Sequence, residues 1–347
     1  MIGIFVICFV VFPIVVFMNV NKVSSSDIFF DKKDSDAIKG IATSFVILAH
    51  LTVNLKGTGG GYGRLLDVFS VTGGMGVLLF FFLSGYGLFK GYGGKQLGIS
   101  FWRKRLVNMY LPCVLIQLIF CVIDIIRNQD FELWGIVAYS LFGMWFIDVI
   151  LVQYFIFYIA WILTKGKANC WILLSFLFSM VAVYIFWKLK FNARWYNGLM
   201  LFPFGMLAAY KEKKLIALVE RKWGINLVVV VVLFVLSGAA FTCFKEAAVG
   251  INIIKTFSGM CLSMMMCIVF LRVKLCSKIM RYMGKRSLYF YLIHLNLLTE
   301  LNSSGFANAI CSFYLVILLT FSFSGLLCRM YGRMVEVMIK ERNKLLG

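Results

Sequence analysis

Charged residues are scarce in this 347-residue chain: Asp, Glu, Lys and Arg make up 14% of it, against 62% hydrophobic residues. Soluble domains carry about 25% charged residues, because the surface of a folded chain needs polar cover. The composition therefore excludes a soluble globular protein, and so many apolar residues exclude a disordered one. The apolar runs are continuous over about 17–25 residues, which disfavours an outer-membrane barrel and indicates helices that span a bilayer.

Eleven segments have the composition of membrane-spanning helices. They lie at about 1–20, 37–55, 72–90, 107–126, 145–163, 170–187, 198–210, 225–243, 252–271, 287–300 and 308–328. The first segment lacks a basic stretch and a small-residue cleavage site, so we interpret it as a retained helix rather than a signal peptide. The sequence thus predicts an all-α fold, a polytopic transmembrane bundle of about 10–11 spans in the lipid bilayer of the cell membrane.

Acidic residues are fewer still, 15 against 35 Lys and Arg, which gives a net charge of +20. Of the basic residues, 27 fall in every second connection: 22–39, 90–106, 164–169, 211–224, 272–286 and the tail after 328. The positive-inside rule then predicts an external N-terminus and a cytoplasmic C-terminus. Because the charge follows topology and no soluble basic domain exists, we expect no nucleic-acid partner.

Histidine is the scarcest of the titratable residues, since His50 and His294 are the only two. Both fall inside predicted spans, where a titratable group is costly. Each is therefore either a functional residue or a neutral side chain that hydrogen-bonds within the bundle. The ten cysteines lie mostly in apolar runs without C-x-x-C spacing, so we expect free thiols and no metal site.

The second predicted span contains Lys39 and His50, eleven residues apart. Eleven residues turn a helix by about 1100°, roughly 20° past three full turns, so both side chains lie on one face about 16 Å apart. Lys39 falls near the cytoplasmic end and His50 in the outer part. This arrangement suggests a channel for two substrates, in which Lys39 holds an anion and His50 removes a proton. Alternatively, Lys39 is a snorkelling charge that anchors the helix end.

The third span is rich in glycine and has the hydroxyl residues Ser84 and Tyr86 on either side of Gly85. Glycine lets helices approach closely, and the hydroxyls predict a polar lining at the inner end of the span. A nucleophilic Ser84 would lack the G-x-S-x-G turn that exposes a catalytic serine. Helix packing with polar lining is therefore the favoured interpretation.

A cationic cluster, Arg103 to Arg105, precedes the fourth span. Its guanidinium groups suit bidentate phosphate contacts, although charge alone favours an ordinary positive-inside anchor. Further along, Asp148 either orients a catalytic imidazole, as the carboxylate of a hydrolase triad does, or pairs with an outer basic residue. Ser287, Tyr291 and His294 share one helix face, which predicts either site lining by Tyr291 and His294 or a structural histidine.

In their order along the chain, these segments resemble the acyltransferase-3 family of integral membrane O-acyltransferases. The matching pieces are Lys39-x10-His50 with Gly40 and Ala42 between them, Phe81-Phe82-Leu83-Ser84-Gly85-Tyr86, the basic stretch that ends at Pro112, Trp145-Phe146, and Gly284-x-x-Ser287 through Tyr291 to His294. The likeness runs from about residue 34 to residue 328. It divides the chain into an additional N-terminal helix with a cytoplasmic loop, residues 1–33, and an acyltransferase-3-like membrane domain, residues 34–347.

The resemblance implies transfer of an acyl group, usually acetyl, from cytoplasmic acyl-CoA to a hydroxyl of an extracytoplasmic carbohydrate of the cell envelope. It implies that Lys39 and His50 are catalytic, with His50 as general base or, in a variant mechanism, as carrier of the acyl group. The residues expected to bind acyl-CoA are Ser84, Gly85, Tyr86, Arg103 and Arg105. The family commonly has arginine at position 39 and two arginines three apart where this chain has Arg105 and Asn108, which leaves open which cation holds the CoA phosphates.

A secondary transporter or exporter of a glycan or polar lipid is the main alternative, because short helices and membrane-embedded His and Lys residues also suit transport. Transport predicts inverted repeats, and the sequence has no apparent internal repeat. A purely structural membrane protein is the third alternative.

Overall fold

The structure is a computed structural model, and it describes residues 2–57, 66–128, 144–243, 248–303 and 308–346. Its helices, numbered along the chain, are α1 (Ile2–Phe17), α2 (Lys32–Gly57), α3 (Asp67–Tyr92), α4 (Ile99–Arg105), α5 (Leu111–Asn128), α6 (Trp145–Thr164), α7 (Ala168–Lys188), α8 (Leu201–Tyr210), α9 (Glu212–Glu220), α10 (Trp223–Cys243), α11 (Ala248–Arg272), α12 (Lys278–Lys285), α13 (Ser287–Ser303) and α14 (Ala309–Leu346). Two short strands, β1 (Val20–Lys22) and β2 (Val273–Leu275), pair antiparallel and join the segment after α1 to the end of α11.

The predicted all-α transmembrane bundle is confirmed. Among the described residues, eight helices are long and apolar enough to cross a bilayer: Lys32–Leu55, Val68–Tyr92, Ile99–Ile123, Trp145–Thr164, Ala168–Lys188, Trp223–Phe241, Gly250–Arg272 and Ala309–Lys340. The predicted segments 1–20, 198–210 and 287–300 correspond to the shorter helices α1, α8 and α13. Helix α14 continues to Leu346, beyond the predicted end at 328, because the residues that follow are mostly strong helix formers and include no proline.

Prolines begin helical segments, where the missing N–H is not needed. Pro13 and Pro112 each follow a π-helical turn, Ile7–Val11 and Leu106–Tyr110 respectively. Such a turn widens the helix where the proline ring removes an ordinary hydrogen bond. The second π-helical turn joins α4 to α5 and leaves Arg105 at the junction of the two segments.

Helix α2 occupies the centre of the bundle: 72% of its most apolar stretch is buried, against 6% for α10. It packs most extensively on α3 and α12. Glycines permit these close crossings, because a methyl group at Gly76 would overlap the Ala42 carbonyl oxygen and one at Gly40 would overlap the backbone of Met280. The most tightly enclosed helix is therefore the one that carries the first candidate motif.

All ten cysteines carry free thiols, as the sequence predicts. Several of them, such as Cys8, Cys113 and Cys267, are buried in the apolar core. In the described part of the chain, His, Cys, Asp and Glu side chains form no group of three or more that could hold a metal ion.

Candidate active site

The two histidines of the chain meet in the middle of the bundle. Nδ1 of His50 on α2 lies 2.8 Å from Nε2 of His294 on α13. The rings are nearly parallel, at 13°, with centroids 5.1 Å apart. Because the nitrogen atoms are much closer than the centroids, the imidazoles meet edge to edge in a hydrogen bond rather than face to face. We call His50 and His294 the histidine pair.

The hydrogen bonds of the pair fix its tautomers. Nδ1 of His294 lies 2.8 Å from the carbonyl oxygen of Phe290, which can only accept, so this nitrogen carries the proton. In the neutral pair, Nε2 of His294 is then an acceptor and Nδ1 of His50 must donate to it. Nε2 of His50 is left with a free lone pair, and no described residue hydrogen-bonds to it. The half-buried His50 can therefore accept a proton at Nε2. His294 is fully buried, and both of its ring nitrogens have partners.

Gly40 and Gly284 allow a close contact between α2 and α12, which we call the glycine contact. A methyl group at Gly284 would overlap the Asp36 carbonyl oxygen and lie 3.0 Å from the nitrogen of Gly40. His50 follows Gly40 by ten residues, and His294 follows Gly284 by ten residues. His50 lies further along α2 from this contact, whereas α12 ends at Lys285 and His294 lies on the next helix, α13.

Aromatic rings and one carboxylate surround the buried histidine. The ring of Tyr291 meets that of His294 at 5.9 Å, and the ring of Phe146 meets that of Tyr291 at 5.2 Å. Asp148 lies close enough to act electrostatically on Tyr291, and its Oδ2 is buried without a hydrogen-bond partner among the described residues. The structure thus brings Tyr291 and Asp148 to the histidine pair, although His294, rather than a carboxylate, orients His50.

Arg194 is a residue of this site that sequence reasoning missed. It lies in a 3₁₀ turn (Ala193–Trp195), and its guanidinium stands 5.8 Å from the ring centroid of Trp145. Its charge acts electrostatically on both His50 and Tyr291. Arg194 is exposed, so an external ligand can reach it beside the histidine pair.

A second candidate centre lies around Arg105. The guanidinium stands 4.8 Å from the ring centroid of Phe101, 5.5 Å from Tyr154 and 5.6 Å from Tyr92. The hydroxyl of Tyr154 is hydrogen-bonded to that of Ser84. We call these five residues the Arg105 group. Two residues predicted to bind acyl-CoA, Ser84 and Arg105, are thereby brought together from α3 and α4.

The other predicted cations lie outside the Arg105 group. Arg103 and Lys104 are exposed, whereas Arg105 is half-buried. Lys39 is half-buried on α2 beside the glycine contact, and the charge of Asp36 acts on it. Its ammonium forms no ion pair or hydrogen bond with any of the described side chains. Both Lys39 and Arg105 thus retain donors for an anion.

Gly85 and Tyr86 contact parts of the structure other than the Arg105 group. A methyl group at Gly85 would overlap the Phe202 carbonyl oxygen, so this glycine serves the crossing of α3 with α8. The hydroxyl of Tyr86 donates to Glu212, which also forms an ion pair of 2.5 Å with Lys90. The structure therefore does not bring Gly85 and Tyr86 to the Arg105 group.

Helix α6 connects the two centres. Phe146 contacts Tyr291 beside the histidine pair, and Tyr154, eight residues later, belongs to the Arg105 group. Eight helical residues span about 12 Å. The contacts of the two centres with α6 are therefore about two helical turns apart.

Comparison with known proteins identifies the family. The model of the acyltransferase-3 family, which describes an acyltransferase domain, matches residues 32–329, from the start of α2 to well into α14. No curated protein and no solved structure matches the chain. The matched region contains the histidine pair and the Arg105 group. The chain belongs to the acyltransferase-3 family and is a membrane acyltransferase.

Proposed function

We propose that this protein is an O-acyltransferase that moves an acyl group, most readily acetyl, from acyl-CoA to a hydroxyl of a cell-envelope carbohydrate. Family membership supports acyl transfer in general. The free lone pair of His50 is the observation that carries the proposal, because a base in this state can activate a hydroxyl. We place the Arg105 group on the cytoplasmic side and the histidine pair towards the outside, as the distribution of basic residues predicts.

The Arg105 group fits the donor. Coenzyme A is a multiply anionic thioester carrier, and a guanidinium offers it bidentate phosphate contacts. Arg105 lies among three aromatic rings, so its guanidinium is held in place while its N–H donors remain free. Lys39 supplies a second cation on the path along α2 towards His50. The exposed Arg103 attracts the donor at longer range.

The proposed reaction is direct transfer. Nε2 of His50 takes the proton of the acceptor hydroxyl while its oxygen attacks the thioester carbonyl. The tetrahedral intermediate collapses, the carbon–sulfur bond breaks, and the thiolate takes the proton back from His50, which gives an ester and free coenzyme A. His294 holds Nδ1 of His50 throughout, and two adjacent cations repel each other, so the pair carries only one extra proton at a time.

His50→Ala tests this role. Membranes that contain the variant are incubated with radiolabelled acetyl-CoA, and labelled glycan is counted per amount of folded protein. General-base catalysis contributes about 10²- to 10⁴-fold, so we expect at least a 100-fold loss. Asn54→Ala is the matched control, since Asn54 lies one turn further along α2 and, among the described residues, its side chain hydrogen-bonds to Asn302. Wild-type transfer by the His50 variant would contradict the proposal. Transport of glycan across the membrane without incorporation of label would indicate a transporter.

A further inference from the structure

The connection between α7 and α8, residues 189–200, is a positively charged segment. With the last residue of α7 it carries Lys188, Lys190 and Arg194. The sequence has no Asp or Glu from 149 to 211, and within the described ranges no carboxylate forms an ion pair with any of the three. This positive charge is therefore available to a ligand.

The segment has a defined conformation. The rings of Phe186, Phe191 and Trp195 pack on one another with centroids 5.0–6.0 Å apart. The side chain of Asn192 caps the 3₁₀ turn by accepting the backbone N–H of Arg194 at 3.2 Å. Arg194 is thus held by its backbone over Trp145, while its side chain is exposed.

The position of Arg194 relates this charge to the chemistry. Trp145 begins α6, the next residue, Phe146, contacts Tyr291, and Tyr291 contacts His294. A hydroxyl that reaches Nε2 of His50 therefore brings the rest of its molecule close to a guanidinium. A neutral sugar would leave this charge without an ionic partner, whereas a carboxylate or phosphate would bind two of its N–H donors.

We propose that the acceptor is an anionic saccharide, whose carboxylate or phosphate binds Arg194 while its hydroxyl meets His50. Lys188 and Lys190 raise the local concentration of such a ligand by long-range attraction. The inference rests on the proposed function and specifies its substrate class. A competing role for Arg194 is stabilisation of the oxyanion of the tetrahedral intermediate, which would act on every acceptor alike.

The first experiment measures the charge of the product. Membranes are incubated with radiolabelled acetyl-CoA, glycan is freed from lipid carriers by mild acid, and the label is separated by anion exchange. We expect the His50-dependent label to be retained by the resin and to elute with salt. Label in the flow-through would overturn the inference while leaving the acyltransferase intact. An absence of any His50-dependent label would refute the proposed function itself, and the inference with it.

The second experiment compares Arg194→Gln with two related variants. For the retained acceptor fraction, we expect KM to rise about tenfold with little change in kcat, and Arg194→Lys to recover part of the loss. Lys255→Gln is the control, because Lys255 is another cation outside the α7–α8 connection, over the ring of Phe241. A fall in kcat with unchanged KM would assign Arg194 to the oxyanion and overturn the acceptor role, and unchanged kinetics would also overturn it.

Discussion

The histidine pair and the Arg105 group hold their central residues by different forces. His294 is fully buried, and each nitrogen of its ring has a hydrogen-bond partner at 2.8 Å. Arg105 is half-buried and is held by contacts with three aromatic rings, while no described carboxylate pairs with it. Directional hydrogen bonds specify one orientation, whereas cation–π contacts hold a guanidinium in place and leave its donors free.

This difference agrees with the two tasks that the proposed function assigns to these centres. A base must hold one tautomer in one place, so its neighbours are best buried and saturated. A donor such as acyl-CoA must enter and leave, so its cation is best left unpaired and partly exposed. We therefore expect substitutions at the histidine pair to lower kcat, and substitutions at the Arg105 group to raise KM for acyl-CoA.

Removal of His294 should have the largest effect. In His294→Phe, Nδ1 of His50 loses its acceptor, and the ring can rotate or bind its proton at the other nitrogen. We expect kcat to fall about 100-fold, which corresponds to about 2.7 kcal/mol, with KM for acetyl-CoA unchanged. The measurement is a steady-state assay of acetyl transfer in membranes.

A conservative variant distinguishes positioning from mere packing. In His294→Gln, the amide oxygen can accept from His50 and the amide nitrogen can donate to Phe290, so we expect recovery of about tenfold in kcat. The pH profile of kcat should also change in His294→Phe and return towards wild type in His294→Gln. If both variants lose activity equally with unaltered pH profiles, His294 only fills space.

Loss of the guanidinium at the second centre should have a smaller and different effect. In Arg105→Gln, we expect KM for acetyl-CoA to rise about tenfold while kcat stays within twofold, because phosphate contacts contribute to binding and not to proton transfer. Arg105→Lys should recover little, since an ammonium neither stacks nor binds in bidentate fashion.

Arg103→Gln is the matched control for this measurement. It removes the same charge two residues away, but Arg103 is exposed and contacts none of the rings of the Arg105 group. We expect KM to change less than threefold. Equal increases in KM for Arg103→Gln and Arg105→Gln would show that only net charge near the surface matters. That result would contradict a specific acyl-CoA site at Arg105.

The helical bundle and the location of both histidines inside it could be predicted from sequence. Continuous apolar runs specify spans, and titratable residues inside them stand out because burial of such groups is costly. The meeting of His50 with His294 could not be predicted in this way, because the two residues are 244 positions apart and lie on helices whose relative placement is set by tertiary packing.

Helical periodicity could also have shown that two pairs of residues predicted to share a site lie on different helix faces. Residues two apart on a helix lie on nearly opposite faces. Ser84 and Tyr86 therefore could not line one site, and Arg103 and Arg105 could not both face the core. The members of each pair are close in sequence, but the structure places them in different environments.

The place of Arg194 could not be derived from sequence. It lies in a connection rather than a helix, 49 residues after Trp145, so no periodicity relates the two. Its position depends on how the rings of Phe191 and Trp195 pack and on the cap supplied by Asn192. Such long-range contacts are set by tertiary packing alone.

The smallest expected effect concerns Ser84, and it separates binding from covalent catalysis. A hydrogen bond between neutral groups contributes about 0.5–1.5 kcal/mol, so Ser84→Ala should raise KM for acetyl-CoA only about threefold. Tyr154→Phe removes the other hydroxyl of the same bond and should have a similar effect. The double variant should be no worse than either single one, because both changes break one interaction. A 1000-fold loss of kcat confined to Ser84→Ala would instead identify a nucleophile, and the Arg105 group would then be part of the catalytic centre rather than a separate donor site.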